Sequence, residues 1–89
     1  MGKDQLQKLR TAIDTIDQEL LSLIKNRLML TAEIGRIKKE NNMDIIDISR
    51  EDTLFNSLEE RCKEMDLDKV FIKKLWRLVL NASYQSQEK

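Results

Sequence analysis

The first half of the chain carries aliphatic residues at two positions of every seven. One position is occupied by Leu6, Ile13, Leu20, Arg27 and Ile34, and the other by Leu9, Ile16, Leu23, Leu30 and Ile37. This heptad predicts one helix that packs along its length against another helix. At about 1.5 Å per residue, a helix from about Asp4 to about Glu40 is about 55 Å long.

Two shorter apolar patterns predict two more helices, at about residues 48–65 and 68–87. In the first of these, the residues predicted to point inward are Leu54, Phe55, Leu58, Cys62 and Met65. In the second, which starts at the good N-cap residue Asp68, they are Phe71, Ile72, Leu75, Val79 and Ala82. Each pattern recurs at spacings of three and four, which is typical of an amphipathic helix.

The segment between the first two helices carries residues suited to end one helix and start the next. Asn41 and Asn42 tolerate the left-handed conformation that closes helices. Asp47 can cap the second helix directly, and a capping box of Ser49 with Asp52 is the alternative.

The composition also favours helices, because the chain has no proline and two glycines. We therefore predict an all-α fold in which residues 1–89 form a single domain. A compact chain of this length has a radius of gyration of about 12 Å and a diameter near about 30 Å. The first helix is longer than that, so we expect a second copy of the chain to pack along it.

Charge and rare residues narrow the possible functions. Lys plus Arg and Asp plus Glu both number 16, so no net field draws the chain to nucleic acid or to an anionic membrane. No apolar run is long enough for a membrane span and no signal peptide is evident, and a single cysteine suits the cytoplasm. Without histidine, a usual zinc site or a His-activated nucleophile is excluded, and any catalysis must rely on placed charges and hydrogen bonds.

Arg27 is the one charged residue in the heptad of aliphatic positions. A buried guanidinium needs an anion, which is either an acid from a neighbouring helix or a bound ligand, unless Arg27 is a polar residue that sets the register. Lys38 lies on the same side of the helix, with its Cα atom about 16 Å away. A small dianion would fit between the two side chains, although Lys38 alone is also typical of a solvated helix C-terminus.

Arg10 shares this edge of the helix but lies about 25 Å from Arg27 along the axis. It is either a solvated flanking residue or, in an antiparallel pair of long helices, a residue that reaches Arg27 of the other chain. Ser83 and Gln87 continue the inward face of the third helix, where polar residues require partners, or they mark its fraying end. Asp47, Arg50 and Glu51 are either capping and solvated charges or part of a site.

In this order, these residues resemble the all-helical class of chorismate mutase, the type II or AroQ-like family. The matching segments are "LRTAIDTIDQELLSLIKNR" from Leu9 to Arg27, "EIGRIK" from Glu33 to Lys38, "DISRE" from Asp47 to Glu51, and Ser83 with Gln87. The resemblance implies an intertwined helical homodimer of three-helix chains with two shared active sites. It also implies the rearrangement of chorismate to prephenate in phenylalanine and tyrosine biosynthesis, without a cofactor or metal.

The resemblance further implies a role for each candidate residue. Arg27 and the partner subunit's Arg10 should bind the substrate carboxylates, and Lys38 and Gln87 should donate hydrogen bonds to its ether oxygen. Glu51 should accept from the ring hydroxyl with help from the backbone at Asp47, while Arg50 and Ser83 complete the polar wall. The isoleucines around Asp47 should cover the bound ring. Lys38, Gln87, Arg27 and Glu51 are thus the expected catalytic residues.

Three alternatives remain open at this point. Isochorismate-pyruvate lyase shares the scaffold, the arginines and the lysine, but not the intact Arg50–Glu51 pair. A non-catalytic regulatory module with the same fold is a second alternative, and a purely structural bundle is a third. The last one predicts that Arg27→Leu stabilises the protein without affecting any ligand.

Overall fold

The computed structural model describes residues 1–88, and all regular structure within this range is helical. Helix α1 spans Gly2–Glu40, helix α2 spans Ile48–Met65 and helix α3 spans Lys69–Glu88. The predicted all-α chain with a very long first helix is confirmed. The structure begins α1 at Gly2, two residues before the expected start at about Asp4.

Helix α1 is much longer than the rest of the molecule is wide. The chain extends 61 Å along its longest axis and 27 Å and 16 Å along the others, with a radius of gyration of 17.1 Å. Helix α3 packs against α1, and α2 packs against α3. Every residue from 1 to 26 is exposed. The N-terminal half of α1 therefore projects beyond the part of the chain that packs together.

The helix ends follow the capping residues of the sequence. Asn42, two residues after the end of α1, adopts a left-handed conformation with φ of 54°, whereas Asn41, the C-cap, has φ of -104° and does not. Asp47 caps α2, because its carboxylate accepts a hydrogen bond of 3.1 Å from the backbone N–H of Arg50. Ser49 lies inside the first turn of α2, so it is not the N-cap residue, and the alternative capping box of Ser49 with Asp52 does not start this helix. Asp68 precedes α3, and its side chain accepts from the backbone N–H of Val70 at 2.9 Å.

The single chain buries few apolar residues. Within residues 1–88, the buried apolar residues are Cys62 and Leu80, which are 4% and 7% exposed. Met65, Phe71 and Leu75 are exposed in the single chain. The prediction that these three side chains point into a core of the same chain is therefore wrong. The reason is that no second layer of the same chain covers these sides of α2 and α3.

The contact between α1 and α3 is close and polar. Thr31 Oγ1 lies 2.6 Å from Ser86 Oγ, and Gly35 is buried against the backbone of Gln87. A Cβ atom at Gly35 would lie 2.4 Å from both the Cα atom and the carbonyl oxygen of Gln87. Only glycine permits this approach, so Gly35 determines how near the end of α3 lies to α1.

No helix within residues 1–88 combines the length and the apolar character that crossing a membrane requires.

Candidate active site

A pocket of about 280 Å³ lies where the C-terminal half of α1, the start of α2 and the end of α3 meet. Its volume is close to the lower limit of about 300 Å³ for small-molecule sites. The lining residues are Arg27, Thr31, Ile34, Lys38, Ile45, Asp47, Arg50, Glu51, Leu54, Leu80, Ser83, Tyr84 and Gln87. Seven of the eight candidate residues from the sequence are therefore brought together, and Arg10 is the exception.

Arg27 is held at the pocket by a hydroxyl group and not by an acid. Its Nη1 donates a hydrogen bond to Ser83 Oγ, and that hydroxyl in turn donates to the carbonyl oxygen of Val79 at 2.8 Å. Ser83 is 2% exposed, so this contact is buried. Within residues 1–88, no carboxylate forms a salt bridge with Arg27. The guanidinium thus remains available for an anionic ligand.

Lys38 ties the connecting segment to α1. Its Nζ donates a hydrogen bond of 2.5 Å to the carbonyl oxygen of Ile45, and the side chain is half-buried. An ammonium group has three donors, so two remain for other acceptors. Ile45 lines the pocket as expected, but Ile46 and Ile48 are exposed and do not line it. The extended backbone and the first turn of α2 direct these two side chains outward.

Gln87 presents an uncommitted amide to the pocket. Its Oε1 is buried and has no hydrogen-bond partner within the described part of the chain. Buried polar atoms in folded proteins nearly always have a partner, so the amide oxygen of Gln87 is an unused acceptor at the place where a ligand would bind. The close approach at Gly35 places Gln87 there, because it brings the end of α3 against α1.

Glu51, in the first turn of α2, is held by hydrogen bonds to both of its carboxylate oxygens. Its Oε1 accepts a hydrogen bond of 3.0 Å from Arg77 Nη1, and its Oε2 accepts one from the hydroxyl of Tyr84. The hydrogen bond from Tyr84, followed by that from Arg77, lowers the pKa of Glu51 below its ordinary value. Glu51 is therefore an ionised acceptor at neutral pH. Arg50, one residue earlier, lines the pocket but is exposed.

The pocket carries a small excess of positive charge. Three cationic side chains line it, from Arg27, Lys38 and Arg50, against the two carboxylates of Asp47 and Glu51. The Asp47 carboxylate is already used as the cap of α2. The cations on α1 and the acceptor at Glu51 thus form two differently charged walls, which suits a ligand with an anionic part and a hydroxyl group.

Arg10 lies outside this pocket. It is exposed on the N-terminal half of α1, seventeen residues before Arg27 and about 25 Å away along the helix. The pocket of one chain cannot receive this side chain from the same α1.

Sequence reasoning missed Tyr84. The residue lies directly after Ser83, off the predicted inward stripe, so the pattern gave it no role. Leu80, Tyr84 and Gln87 are nevertheless spaced by four and three, which places them on one face of α3. That spacing, together with a polar-tipped aromatic side chain, is the signal that could have identified it.

The three helices, of which the first is very long, define an all-α class of protein. Its pocket is lined by three cationic side chains and an amide, which suits an anionic ligand. The model of the chorismate mutase type II family matches residues 9–88. The chain therefore belongs to the chorismate mutase type II family.

Individual relatives share the same segment. A bifunctional chorismate mutase/prephenate dehydratase of Buchnera aphidicola is 32% identical over 88 residues, which is 99% of this chain and 23% of the relative. The T-protein of Enterobacter agglomerans is 31% identical over 83 residues, which is 93% of this chain and 22% of the relative. The chorismate mutase of Methanocaldococcus jannaschii is 29% identical over 86 residues, which is 94% of this chain and 87% of the relative. The chain thus spans less than a quarter of the first two of these relatives and most of the archaeal one.

Proposed function

We propose that this chain is a chorismate mutase that rearranges chorismate to prephenate, the precursor of phenylalanine and tyrosine. The observation that carries the proposal is that one pocket contains Arg27, Lys38, Gln87 and Glu51 together. Family membership supports the same conclusion. The reaction is intramolecular, so it requires no nucleophile, and the chain has no histidine to activate one.

The proposed mechanism consists of positioning and charge stabilisation. The ether carbon–oxygen bond of chorismate breaks while a carbon–carbon bond forms within the same molecule, and no atom is gained or lost. Arg27 binds a substrate carboxylate and holds the reactive conformation, which lowers the entropic part of the barrier. Lys38 and Gln87 donate hydrogen bonds to the ether oxygen, which gains negative charge in the transition state.

The remaining candidates hold the rest of the substrate. Glu51 accepts a hydrogen bond from the ring hydroxyl, and the backbone at Asp47 assists it. Arg50 and Ser83 complete the polar wall, Ser83 by orienting Arg27. This assignment is supported by the free donors of Lys38 and by the position of Gln87 in the lining of the same pocket, where its amide NH2 group would be the donor.

We further propose that two chains form an intertwined homodimer in which the partner subunit's Arg10 completes each site. Two observations support this. The nine aliphatic heptad residues of α1 are all between 45% and 66% exposed in one chain. Only two apolar residues are buried within residues 1–88, which is a very small core for a chain of this size. The buried, unpaired Cys62 fits a reducing compartment, so we propose that the dimer acts in the cytoplasm.

Turnover of chorismate tests the proposed function. Purified protein should consume chorismate and form prephenate, and Arg27→Ala should lower kcat/KM by at least about a hundredfold because a charged donor is lost. Arg36→Ala is the matched control, since Arg36 lies on the same helix and forms exposed pairs with Glu33 and Glu40, which contribute little. Release of pyruvate from isochorismate without prephenate formation would instead identify a lyase, and no turnover by a folded dimer would identify a non-catalytic module.

A further inference from the structure

Tyr84 and Arg77 on α3 together engage both oxygens of the Glu51 carboxylate. The Tyr84 hydroxyl donates to Oε2, and Arg77 Nη1 donates to Oε1 at 3.0 Å. Tyr84 is the only tyrosine of the chain and is half-buried. The Glu51 side chain is only 16% exposed, so these two contacts largely determine its orientation.

The two contacts lie on different sides of Glu51. Tyr84 lines the pocket, whereas Arg77 does not. Arg77 is instead exposed, and its guanidinium carbon lies 4.9 Å from the centre of the Phe55 ring in a cation–π contact. Oε1 is therefore fixed from outside the pocket, and Oε2 is the oxygen at the pocket wall. A carboxylate oxygen has two lone-pair sites, so Oε2 retains one after it accepts from Tyr84.

We propose that Tyr84 is a positioning residue of this site, which orients Oε2 of Glu51 so that its remaining lone pair accepts the hydrogen bond of the substrate's ring hydroxyl. This inference rests on the proposed function. Tyr84 does not contact the breaking bond and acts through Glu51. Arg77 supports it by preventing rotation of the carboxylate. Without these contacts, a glutamate side chain has several accessible rotamers, and ordering it on binding costs free energy.

The titration behaviour of the two groups agrees with this geometry. The Tyr84 hydrogen bond lowers the pKa of Glu51, while burial and the same hydrogen bond raise the pKa of Tyr84 to about 12. The other charged groups that line the pocket are Arg27 and Lys38 on α1, Asp47 before α2 and Arg50 in its first turn. An ionised carboxylate is a stronger acceptor than a protonated one, so binding weakens as pH falls through the pKa of Glu51.

The central test is Tyr84→Phe, which removes the hydroxyl and keeps the ring. KM for chorismate should rise by roughly fivefold to tenfold, the effect of about 1 to 1.4 kcal/mol, while kcat changes by less than about twofold. The acidic limb of the kcat/KM profile should also move to higher pH, because the group that lowers the pKa of Glu51 most is gone. A merely structural role of the ring would move neither quantity.

Matched variants separate positioning from general charge effects. Arg77→Gln should raise KM and move the acidic limb in the same direction, since it frees Oε1 of Glu51. Lys74→Gln removes the same charge from an exposed position on the same helix and should leave both unchanged. Tyr84→Phe that retains the wild-type KM and pH profile would overturn the proposal, as would equal effects of Arg77→Gln and Lys74→Gln.

A spectroscopic measurement on the free protein distinguishes this proposal from the proposed function. Tyr84 is the only tyrosine, so its ring carbon resonance in labelled protein is assigned without ambiguity. The resonance should shift as Glu51 titrates at acidic pH, and this step should vanish in Glu51→Gln. An absent step would refute the contact itself. A present step in a protein that does not convert chorismate would refute the proposed function, and with it the role of Tyr84 in that reaction.

Discussion

Gln87 is the residue at which a change of one atom would make the proposed chemistry depend on pH. An amide donates hydrogen bonds at any pH, so activity of the wild-type protein should be nearly constant between about pH 6 and 8. A glutamate at this position can donate only when it is protonated. Gln87→Glu should therefore lose activity progressively as pH rises through the pKa of the new carboxyl group and should be most active in acid.

The pH dependence of kcat/KM for both proteins checks this. Gln87→Met, which has a similar length but no donor, should be slow at all pH values and provides the control. A steep loss of wild-type activity between about pH 6 and 8, or a flat profile for Gln87→Glu, would contradict the role of Gln87 as a donor.

Single residues were predictable from sequence where they broke a pattern. Arg27 is charged in an aliphatic heptad, and the structure places it at the pocket. Ser83 was also a candidate, but its hydrogen bond with Arg27 could not be deduced, because the pairing depends on how α3 lies against α1. Tyr84 was missed for a different reason: it lies off the predicted inward stripe of α3, and its contact with Glu51 depends on how α2 lies against α3.

The start of helix α2 links stability to the site. Asp47 caps the helix through its hydrogen bond from the N–H of Arg50, and Glu51 lies in the first turn. Asp47→Ala should lower the free energy of unfolding by about 1 kcal/mol, because the cap is lost. It should also raise KM, since fraying of this turn moves Glu51.

Asp47→Asn is the matched variant, because an amide oxygen also caps helices well. Denaturant unfolding at equal protein concentration, together with KM for chorismate, measures both effects. Asp47→Asn should remain close to the wild-type protein in stability. Equal stability of Asp47→Ala and the wild-type protein would show that the cap does not hold this turn in place.

The positions of the helices were largely predictable from the sequence. Which of their apolar sides are covered within one chain was not. The heptad identifies α1 because its spacing persists over ten positions, and Asp47 indicates the start of α2 by its capping chemistry. The sequence pattern marks apolar positions but not what covers them. The sequence pattern therefore places Phe71, Leu75 and Met65 among the inward-facing residues, although all three are exposed in one chain.

The chain is elongated, and one side of its longest helix is uncovered. A helix that extends the chain to 61 Å, with every residue from 1 to 26 exposed, leaves a long aliphatic stripe without a covering layer. The proposed homodimer would cover this stripe and bring the partner subunit's Arg10 to the pocket. Each site would then combine Arg27 of one chain with Arg10 of the other.

Mixing two inactive variants tests this shared site most directly. Arg10→Ala and Arg27→Ala should each be nearly inactive as homodimers, because every site lacks one arginine. After the two proteins are unfolded together and refolded, the mixed dimer should contain one site with both arginines intact. With random pairing, conversion of chorismate to prephenate should recover to about a quarter of the wild-type rate. A mixture that stays as inactive as its two components, although mixed dimers form, would contradict a mutase site built from two chains.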